Sequence, residues 1–338
     1  MIWGVDLVAK HRFVLIGHGV ISQAYLKAVS KTEDAEIVGV VGRNDERVQN
    51  FAQKHQIDAY GIDLQKVAEK SKATAAIICT PNALHYDGVM EAARLGLHVL
   101  CEKPLHIDPK VQEEMIEACR KNQVKLGVSY MRRYIEHIAY LKELIDSGKL
   151  GRIMVADVII KHYRDEKYYD SWHGTKKFDG GGPFIQQGSH IVDMVQWLCD
   201  GYEQVLSANR FQVLHDIEVE DHGYAVIQYK NGAIGMIEAS TASIGIAEER
   251  VEISGTKGTV VANYSGITTF EVPGVELPTF DPESSVNERL FEKLLANFID
   301  AIETDKEPFI SGEVGKEATD LVMDIYEKSG EPVRIFKD

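Results

Sequence analysis

A lysine with a distinctive setting lies in Val99-Leu100-Cys101-Glu102-Lys103-Pro104-Leu105, between an apolar run and a proline. This setting predicts that Lys103 follows a buried strand and that its ammonium is held near one place. Partial burial disfavours the charged form of a lysine and lowers its pKa, so that such a group can transfer protons near neutral pH. The alternative is a strand that ends in a turn, with Lys103 in a surface ion pair.

A histidine in a mostly apolar segment is the second candidate for proton transfer. The segment runs from Phe178 to Trp197, and Pro183 suits the first turn of a helix. Four residues at steps of four, three and four share one face of that predicted helix: Gln186, His190, Asp193 and Trp197. A helix that is otherwise apolar is expected beside a polar cavity, where His190 could take or give a proton. The alternative is a core histidine bonded to Asp193 or to a backbone carbonyl. The spacing does not favour a zinc site.

A glycine-rich turn, Gly17-His-Gly-Val-Ile-Ser22, follows the first predicted strand. Glycines permit a tight turn and let backbone N–H groups approach a pyrophosphate at the positive end of a helix dipole. The turn lies between a strand and a helix, which is the context that a dinucleotide-binding motif requires. Ser22 replaces the third, packing glycine with another small residue.

The end of the second predicted strand reads Val40-Val41-Gly42-Arg43-Asn44, with no carboxylate before Asp45. A carboxylate at this point commonly binds the ribose 2′-hydroxyl of NAD. Its absence removes repulsion for a 2′-phosphate, and the Arg43 guanidinium can bind that phosphate through two hydrogen bonds. The sequence therefore predicts that NADP(H) is favoured over NAD(H). The alternative is that Arg43 stacks on the adenine and either cofactor is accepted.

The order of the predicted elements indicates an α/β protein. Short β-branched runs at 12–17, 36–41, 75–80, 97–101 and 124–128 alternate with helical patterns, which predicts a parallel sheet with helices on both faces. Strands dominate after the helix stop at 148–151. A hairpin is predicted to join 224–229 to 233–239 through Asn231-Gly232, followed by strands at 248–255 and 258–263. Helices are predicted near 286–304 and 313–328.

Composition narrows the classes of partner. The 338 residues contain 37 Lys and Arg against 52 Asp and Glu, a net charge of −15, which disfavours nucleic acid as a partner. No apolar run is long enough for a membrane span. The cysteines are far apart and mostly in apolar surroundings, and we expect them to be reduced. These features predict a cytoplasmic protein with a small-molecule ligand.

Taken together, the motifs resemble those of the Gfo/Idh/MocA oxidoreductase family. The matching segments are the glycine turn, Cys79-Thr-Pro-Asn82 with His85, Glu102-Lys103-Pro104, residues 180–193 and Pro308-Phe-Ile-Ser-Gly-Glu-Val-Gly315. They span nearly the whole chain. The resemblance implies a dinucleotide-binding Rossmann domain over residues 1–130. It also implies a substrate-binding and oligomerisation α/β domain over residues 131–338, with a large, mostly antiparallel open sheet and assembly into a dimer or tetramer.

The resemblance implies hydride transfer between nicotinamide C4 of NAD(P) and a secondary alcohol or ketone of a sugar, cyclitol or sugar nucleotide. Lys103 would orient and polarise the reacting oxygen, and His190 would be the general acid/base. The expected cofactor-binding residues, from the motifs and the family match, are Gly17, Gly19, Val20, Ile21, Arg43, Thr80, Asn82, His85, Glu102 and Lys103. The expected substrate-binding residues are Gln186, Asp193, Arg132, Tyr163 and Trp172. No metal is expected.

One position departs from the family pattern. Many members carry Asp four residues before the histidine, where this chain has Gln186. Glutamine hydrogen-bonds a hydroxyl but does not accept a proton at useful pH, so a scheme with two bases is not supported at this position. Family members that resemble the sugar-nucleotide 3-dehydrogenases have similar amide substitutions at this position. Tyr168-Tyr169 before Trp172 also resembles the pattern in those members. A sugar nucleotide or amino sugar is therefore a candidate substrate.

Two other functions are compatible with the fold, because a fold does not dictate an activity. The first is a non-catalytic NADP(H)-binding regulator or redox sensor, which would need the glycine turn but not Lys103 and His190. The second is an enzyme that retains its cofactor and uses the oxidation internally during glycoside cleavage. The acidic or metal-binding signatures of such enzymes are not evident in this sequence.

Overall fold

The computed structural model describes residues 10–336 of the chain. These residues form two compact units. The first unit contains residues 10–102, Val111–Ser129 and Asn287–Gly312. The second contains Lys103–Lys110, Tyr130–Val286 and residues 313–336. The domain bounds expected from the sequence, 1–130 and 131–338, stay a prediction, and they differ from these units chiefly in Asn287–Gly312.

The described residues contain fourteen strands and nine α-helices. The strands are β1 His11–Ile16, β2 Ala35–Val41, β3 Ala59–Gly61, β4 Ala75–Ile78, β5 His98–Cys101, β6 Leu126–Val128, β7 Ile153–His162, β8 Tyr202–Gln212, β9 His222–Tyr229, β10 Ile234–Ser240, β11 Ala247–Gly255, β12 Gly258–Asn263, β13 Gly266–Glu271 and β14 Val333–Arg334. The helices are α1 Ser22–Ser30, α2 Asp45–His55, α3 Leu64–Ser71, α4 His85–Arg94, α5 Pro109–Lys121, α6 Glu136–Asp146, α7 Ser189–Leu198, α8 Asn287–Thr304 and α9 Gly312–Ser329.

The first unit is built on a six-stranded parallel sheet in the order β3-β2-β1-β4-β5-β6. Its central strands are apolar and fully buried, as in Phe13-Val14-Leu15 of β1 and Ala76-Ile77-Ile78 of β4, because helices cover both faces of such a sheet. This confirms the parallel sheet that the sequence predicts. Strand β3 was not predicted, since Ala59-Tyr60-Gly61 contains no β-branched residue.

The second unit is built on an eight-stranded sheet in the order β13-β12-β11-β7-β10-β9-β8-β14. It is mostly antiparallel, and only the β7–β10 and β8–β14 pairs are parallel. The predicted hairpin is confirmed between β9 and β10, where Gly232 has φ +87° and the Tyr229 amide bonds to the Ala233 carbonyl. The predicted α/β class, with a parallel sheet and a large, mostly antiparallel sheet, is therefore confirmed.

The helix that carries His190 begins later than the sequence predicts. It starts at Ser189, not at Pro183. The Gly188 amide bonds to the Pro183 carbonyl, five residues back, at 2.7 Å. This bond interrupts the i-to-i−4 pattern of an α-helix. Gln186 therefore lies in the turns before α7, and the predicted common helix face holds only for His190, Asp193 and Trp197.

No helix within residues 10–336 is long and apolar enough to cross a membrane. All four cysteines are thiols, and all are buried.

Candidate active site

The glycine turn after β1 has the shape that a dinucleotide phosphate requires. Gly17 has φ +98°, and a Cβ at this position would lie 2.7 Å from the Cys79 carbonyl oxygen, so only glycine fits. No atom of the described residues would lie within 4 Å of a Cβ at Gly19, and Val20 is 93% exposed. The buried Ser22 hydroxyl donates to the Gly19 carbonyl at 2.6 Å. The turn is thus fixed from within and open to a ligand.

Arg43 is exposed and lies two residues after the end of β2. The next residue, Asn44, caps α2 by accepting a hydrogen bond from the Arg47 amide at 2.9 Å. The first carboxylate, Asp45, is in the first turn of α2. After β2, an exposed guanidinium therefore precedes the first carboxylate.

The segment after β4 places a polar group without a partner on the same edge of the sheet. The buried Thr80 Oγ1 has no hydrogen-bond partner among the described residues. The main chain of Thr80 is fixed, because its carbonyl accepts a hydrogen bond from the buried His85 Nε2 at 2.9 Å. Asn82 begins a short 3₁₀ helix and is buried. An orphaned buried hydroxyl at this edge fits a bound cofactor.

Glu102 is buried directly after β5. The Tyr25 hydroxyl donates to Glu102 Oε1 at 2.7 Å. Burial, and next the charge of Glu102, raise the pKa of Tyr25 well above its ordinary value. Tyr25 therefore remains a hydrogen-bond donor, and it fixes the carboxylate of the residue that precedes Lys103.

Lys103 belongs to the second unit. Its Nζ donates to the main-chain carbonyl of Gln186 at 3.0 Å. A main-chain acceptor is fixed in place by its neighbours, so the ammonium is positioned without neutralisation by that bond. The partner comes from the turns before α7, which ties Lys103 to the segment that carries His190.

His190 is in the first turn of α7 and is partly buried. Its Nδ1 is buried without a hydrogen-bond partner among the described residues, and the Tyr130 ring meets its ring edge-on at 5.8 Å. Burial, then the charges of Lys103 and Arg132, lower the pKa of His190 well below 6.5. His190 is therefore neutral at pH 7 and able to accept a proton.

Asp193, one turn along α7, is engaged by an arginine. Its two carboxylate oxygens accept hydrogen bonds from Arg133 Nε at 2.8 Å and from Arg133 Nη2 at 2.6 Å. Asp193 is only 1% exposed. The alternative in which Asp193 bonds His190 is thus not what the structure shows. Asp193 also has no exposed surface for the expected substrate contact, and it holds α7 in position.

A polar and aromatic cluster surrounds Gln186. Gln186 Nε2 donates to Asp179 Oδ1 at 2.6 Å, and the Gly174 amide donates to Asp179 Oδ2 at 2.8 Å. The His173 ring stacks on Tyr168 at 4.1 Å and 9°, and its centroid is 4.0 Å from that of Trp172. Its Nδ1 is 3.4 Å from Gln186 Nε2. The Gln186 amide is therefore used to fix Asp179 beside His173.

Arg132 pairs with Glu249 of β11, and its guanidinium lies 4.8 Å from the centre of the Tyr264 ring. Burial lowers the pKa of Arg132 to about 10. His162 Nε2 is 3.2 Å from Glu249 Oε1. Burial, then Arg164 and Arg132, lower the pKa of His162 to about 4. After burial, the positive charges of Arg164 and Arg132 thus act on His162, which lies beside Glu249.

The remaining expected substrate residues are in the same unit. Trp172 is partly exposed beside His173, and Tyr163 is partly exposed with its ring 6.4 Å from that of His215. Gln186 thus contacts Lys103 through its main-chain carbonyl and His173 through its side chain, and Trp172 lies against His173. The charges of Lys103 and Arg132 both act on His190.

Sequence reasoning missed several residues of this cluster. Asp179 and His173 are within the motif segments, but only the contacts with Gln186 single them out. Arg133 and Glu249 are the partners of Asp193 and Arg132. The sequence shows two adjacent arginines, Arg132 and Arg133. It does not show which of them pairs with Glu249 and which with Asp193.

Comparison with known proteins places the chain in a family. Residues 11–130 match the oxidoreductase family model described as an NAD-binding Rossmann fold, and residues 138–261 match the GFO/IDH/MocA C-terminal domain. The chain belongs to the Gfo/Idh/MocA oxidoreductase family. It is an oxidoreductase with an NAD-binding Rossmann fold, and the resemblance seen in its motifs is confirmed.

Relatives of known activity match along most of their length. The myo-inositol 2-dehydrogenase of Thermotoga maritima is 26% identical over 323 residues, 91% of this chain and 92% of the relative. The inositol 2-dehydrogenase of Rhizobium meliloti is 27% identical over 319 residues, with 92% and 94% covered. The crystal structure of the WlbA dehydrogenase from Bordetella pertussis, in complex with NADH and UDP-GlcNAcA, is 28% identical with a TM-score of 0.87. It covers 95% of each chain.

The buried pair of Asp193 and Arg133 predicts a large loss of stability when one partner is removed. Asp193→Asn keeps the shape of the side chain but leaves the Arg133 charge without its counter-ion. We expect the free energy of unfolding to fall by about 3 kcal/mol, measured by denaturant titration. The control is Asp146→Asn, which removes one partner of an exposed pair with Lys142 and should cost less than about 1 kcal/mol. Equal losses in the two variants would contradict the assigned role of Asp193.

Proposed function

We propose that this protein is an NAD(P)-dependent dehydrogenase or reductase that acts on a secondary alcohol or ketone of a sugar, cyclitol or sugar nucleotide. The observation that carries the proposal is the pairing of a fixed lysine with a neutral histidine in one unit. Lys103 Nζ is held by the Gln186 carbonyl, and the charge of Lys103 helps to keep His190 unprotonated. Lys103 also follows Glu102 directly in the chain, so the cofactor edge of the parallel sheet and the proton-handling group are adjacent in sequence.

The chemistry divides between cofactor and protein. When bound, NAD(P) would supply hydride transfer at nicotinamide C4. During oxidation, His190 takes the hydroxyl proton of the substrate, and the Lys103 ammonium stabilises the negative charge that develops on that oxygen. During reduction, the protonated His190 returns the proton to the same oxygen. Both groups are held in place before reaction, which lowers the cost of orientation.

The cofactor assignment is supported by the first unit. Gly17 leaves room that a Cβ would fill, the turn is open at Gly19, and the Thr80 hydroxyl is without a partner. These features fit a dinucleotide. The glycine turn before α1 would hold its phosphates, and Thr80, Asn82, His85 and Glu102 would line the rest of the cofactor.

The substrate class is supported by the relatives. Two of them are inositol dehydrogenases, and the WlbA complex contains a sugar nucleotide. Gln186, Trp172, Tyr163 and Arg132 are the side chains that we propose to contact the substrate. A sugar nucleotide or amino sugar is the candidate that the Gln186 and Tyr168-Tyr169 pattern favours.

We also propose a homo-oligomer, a dimer or tetramer, assembled through the eight-stranded sheet. The support is a set of exposed apolar side chains on that sheet, namely Met154, Leu206, Tyr224 and Ile234. A cytoplasmic location is supported by the four buried thiols.

The function is tested by a screen of inositols, sugars and sugar nucleotides for a change in nicotinamide absorbance. With an active substrate, we expect His190→Ala to lower kcat by a factor of about 10² or more, because the proton acceptor is lost. We expect Lys103→Met to lower kcat similarly, and we expect His190→Ala to retain cofactor binding. The control is His222→Ala, a partly buried histidine of β9, which should retain turnover.

Unchanged turnover in His190→Ala would remove His190 from the mechanism. Tight cofactor binding without turnover of any substrate would favour the alternative function, a non-catalytic NADP(H)-binding regulator.

The preference for NADP(H) is a separate proposal that depends on Arg43. We expect NADPH to bind more tightly than NADH, and Arg43→Asp to reverse the order by placing a carboxylate near the 2′-phosphate. Dissociation constants measured by fluorescence titration test this expectation. Arg47→Asp, at a neighbouring exposed arginine, is the control and should leave the ratio unchanged. The WlbA structure contains NADH. Equal or tighter binding of NADH to the wild-type protein would contradict the proposal.

A further inference from the structure

Arg164 has a rigidly fixed main chain two residues after the end of β7. Its amide donates to the Thr241 carbonyl at 3.0 Å, and its carbonyl accepts a hydrogen bond from His215 Nε2 at 2.9 Å. His215 is held in turn by the buried Asp221, with Nδ1 3.1 Å from Oδ2. The base of the Arg164 side chain is therefore anchored on both sides.

The guanidinium of Arg164 is partly buried and lacks a counter-ion. Its Cζ lies 5.0 Å from the centre of the Tyr168 ring, and its Nε is buried without a hydrogen-bond partner among the described residues. Within residues 10–336, no carboxylate is within 4.0 Å of the Arg164 guanidinium. The other arginines that are buried or partly buried in this range each have such a carboxylate: Arg12, Arg132, Arg133, Arg210 and Arg250.

This arrangement is costly unless a ligand completes it. Removing a charge and a buried N–H from water without a partner disfavours the protein alone. A guanidinium that is fixed and supported by an aromatic ring is prepared to bind a carboxylate or a phosphate through paired hydrogen bonds. An oxyanion from outside the described residues would supply both the counter-charge and the hydrogen-bond acceptor.

Arg164 is connected to the proton-handling residues by direct contacts. The Tyr168 ring, which lies against Arg164, stacks on the His173 ring at 4.1 Å. His173 Nδ1 is 3.4 Å from Gln186 Nε2, and the Gln186 carbonyl holds Lys103 Nζ. These residues belong to one compact unit. A ligand that reaches from Lys103 to Arg164 would therefore pass along Tyr168 and His173.

The local charges favour an anion, although the chain as a whole has a net charge of −15. Arg164 and Arg132 contribute, after burial, to the lowered pKa of His162. The carboxylates on the residues that surround Arg164 have other partners: Asp165 accepts a hydrogen bond from the Tyr168 amide, Asp221 contacts His215, and Asp179 accepts from the Gly174 amide and Gln186. In a protein with this net negative charge, the Arg164 guanidinium could readily have been paired with a carboxylate. Its lack of such a partner among the described residues therefore favours an anionic ligand at this position.

We propose that the sugar substrate carries an oxyanion, a carboxylate or a phosphate, and that Arg164 binds it. The proposal rests on the proposed function for the sugar ring and its reacting hydroxyl, and it adds the charge class of the substrate. Arg164 is then a specificity-determining residue that acts through substrate binding and has no part in proton transfer.

The test is calorimetric binding of three probes to the protein saturated with NADH: D-glucose, D-glucuronate and glucose 1-phosphate. We expect the wild-type protein to bind at least one anionic probe ten or more times as tightly as glucose. Tighter binding of glucuronate assigns a carboxylate, and tighter binding of glucose 1-phosphate assigns a phosphate. In Arg164→Gln the ratio of anionic to neutral affinity should fall to about one, and in Arg164→Lys it should be intermediate, because the charge remains without the paired donors.

Arg152→Gln is the matched control, since Arg152 is an exposed arginine of the same unit, and it should keep the wild-type ratio. Melting temperatures of all variants show whether the fold is retained. The ratio of anionic to neutral affinity in the wild-type protein, and the decrease of that ratio with salt, test the proposal without any variant. A wild-type protein that binds no anionic probe more tightly than glucose contradicts the proposal, as does an Arg164→Gln variant that keeps the ratio. Because binding is measured without turnover, a failure of the proposed function would appear separately, as anion binding without any redox reaction.

Discussion

The hydrogen bond from Lys103 Nζ to the Gln186 carbonyl is the interaction on which the proton-handling cluster depends. It places a cation that is not neutralised by its acceptor in the unit that carries His190. Together with burial, that cation keeps the imidazole neutral. A lysine that moved away from this point, or one whose charge was neutralised there by a carboxylate, would disfavour the imidazolium less. The main-chain oxygen that holds Lys103 therefore contributes, after burial, to keeping His190 neutral.

That oxygen is positioned by close packing of glycines. A Cβ at Gly182 would lie 1.8 Å from the Glu220 carbonyl oxygen, and one at Gly188 would lie 2.7 Å from the Pro183 carbonyl oxygen. The turns between these glycines present the Gln186 carbonyl to Lys103 and the Gln186 amide to Asp179. The helix α7 that follows is held by Arg133 through Asp193. Position 186 carries Gln instead of the Asp that many family members have. Gln186 positions Lys103 through its carbonyl and Asp179 through its side-chain amide.

The sequence predicts those features that depend on local patterns. β-Branched runs predict the parallel sheet, Asn231-Gly232 predicts the hairpin, and the setting of Lys103 singles it out. Contacts made by main-chain atoms are not predictable in this way, and neither is the assignment of partners to two adjacent residues of the same type. The partner of Lys103 is a carbonyl, which every residue has. The side of a 3₁₀ turn decides that Arg133 meets Asp193 while Arg132 meets Glu249. The late start of α7 follows from a single bond at Gly188.

The central claim is that Lys103 helps to keep His190 neutral, and NMR titration of the His190 ring tests it without any substrate. The resonance is assigned among the twelve histidines by its loss in His190→Gln. Burial and a neighbouring cation both disfavour the imidazolium, so the midpoint in the wild-type protein should be well below 6.5. Lys103→Met removes the cation and should raise the midpoint. A wild-type midpoint at or above 6.5, or one that does not rise in Lys103→Met, would contradict the account.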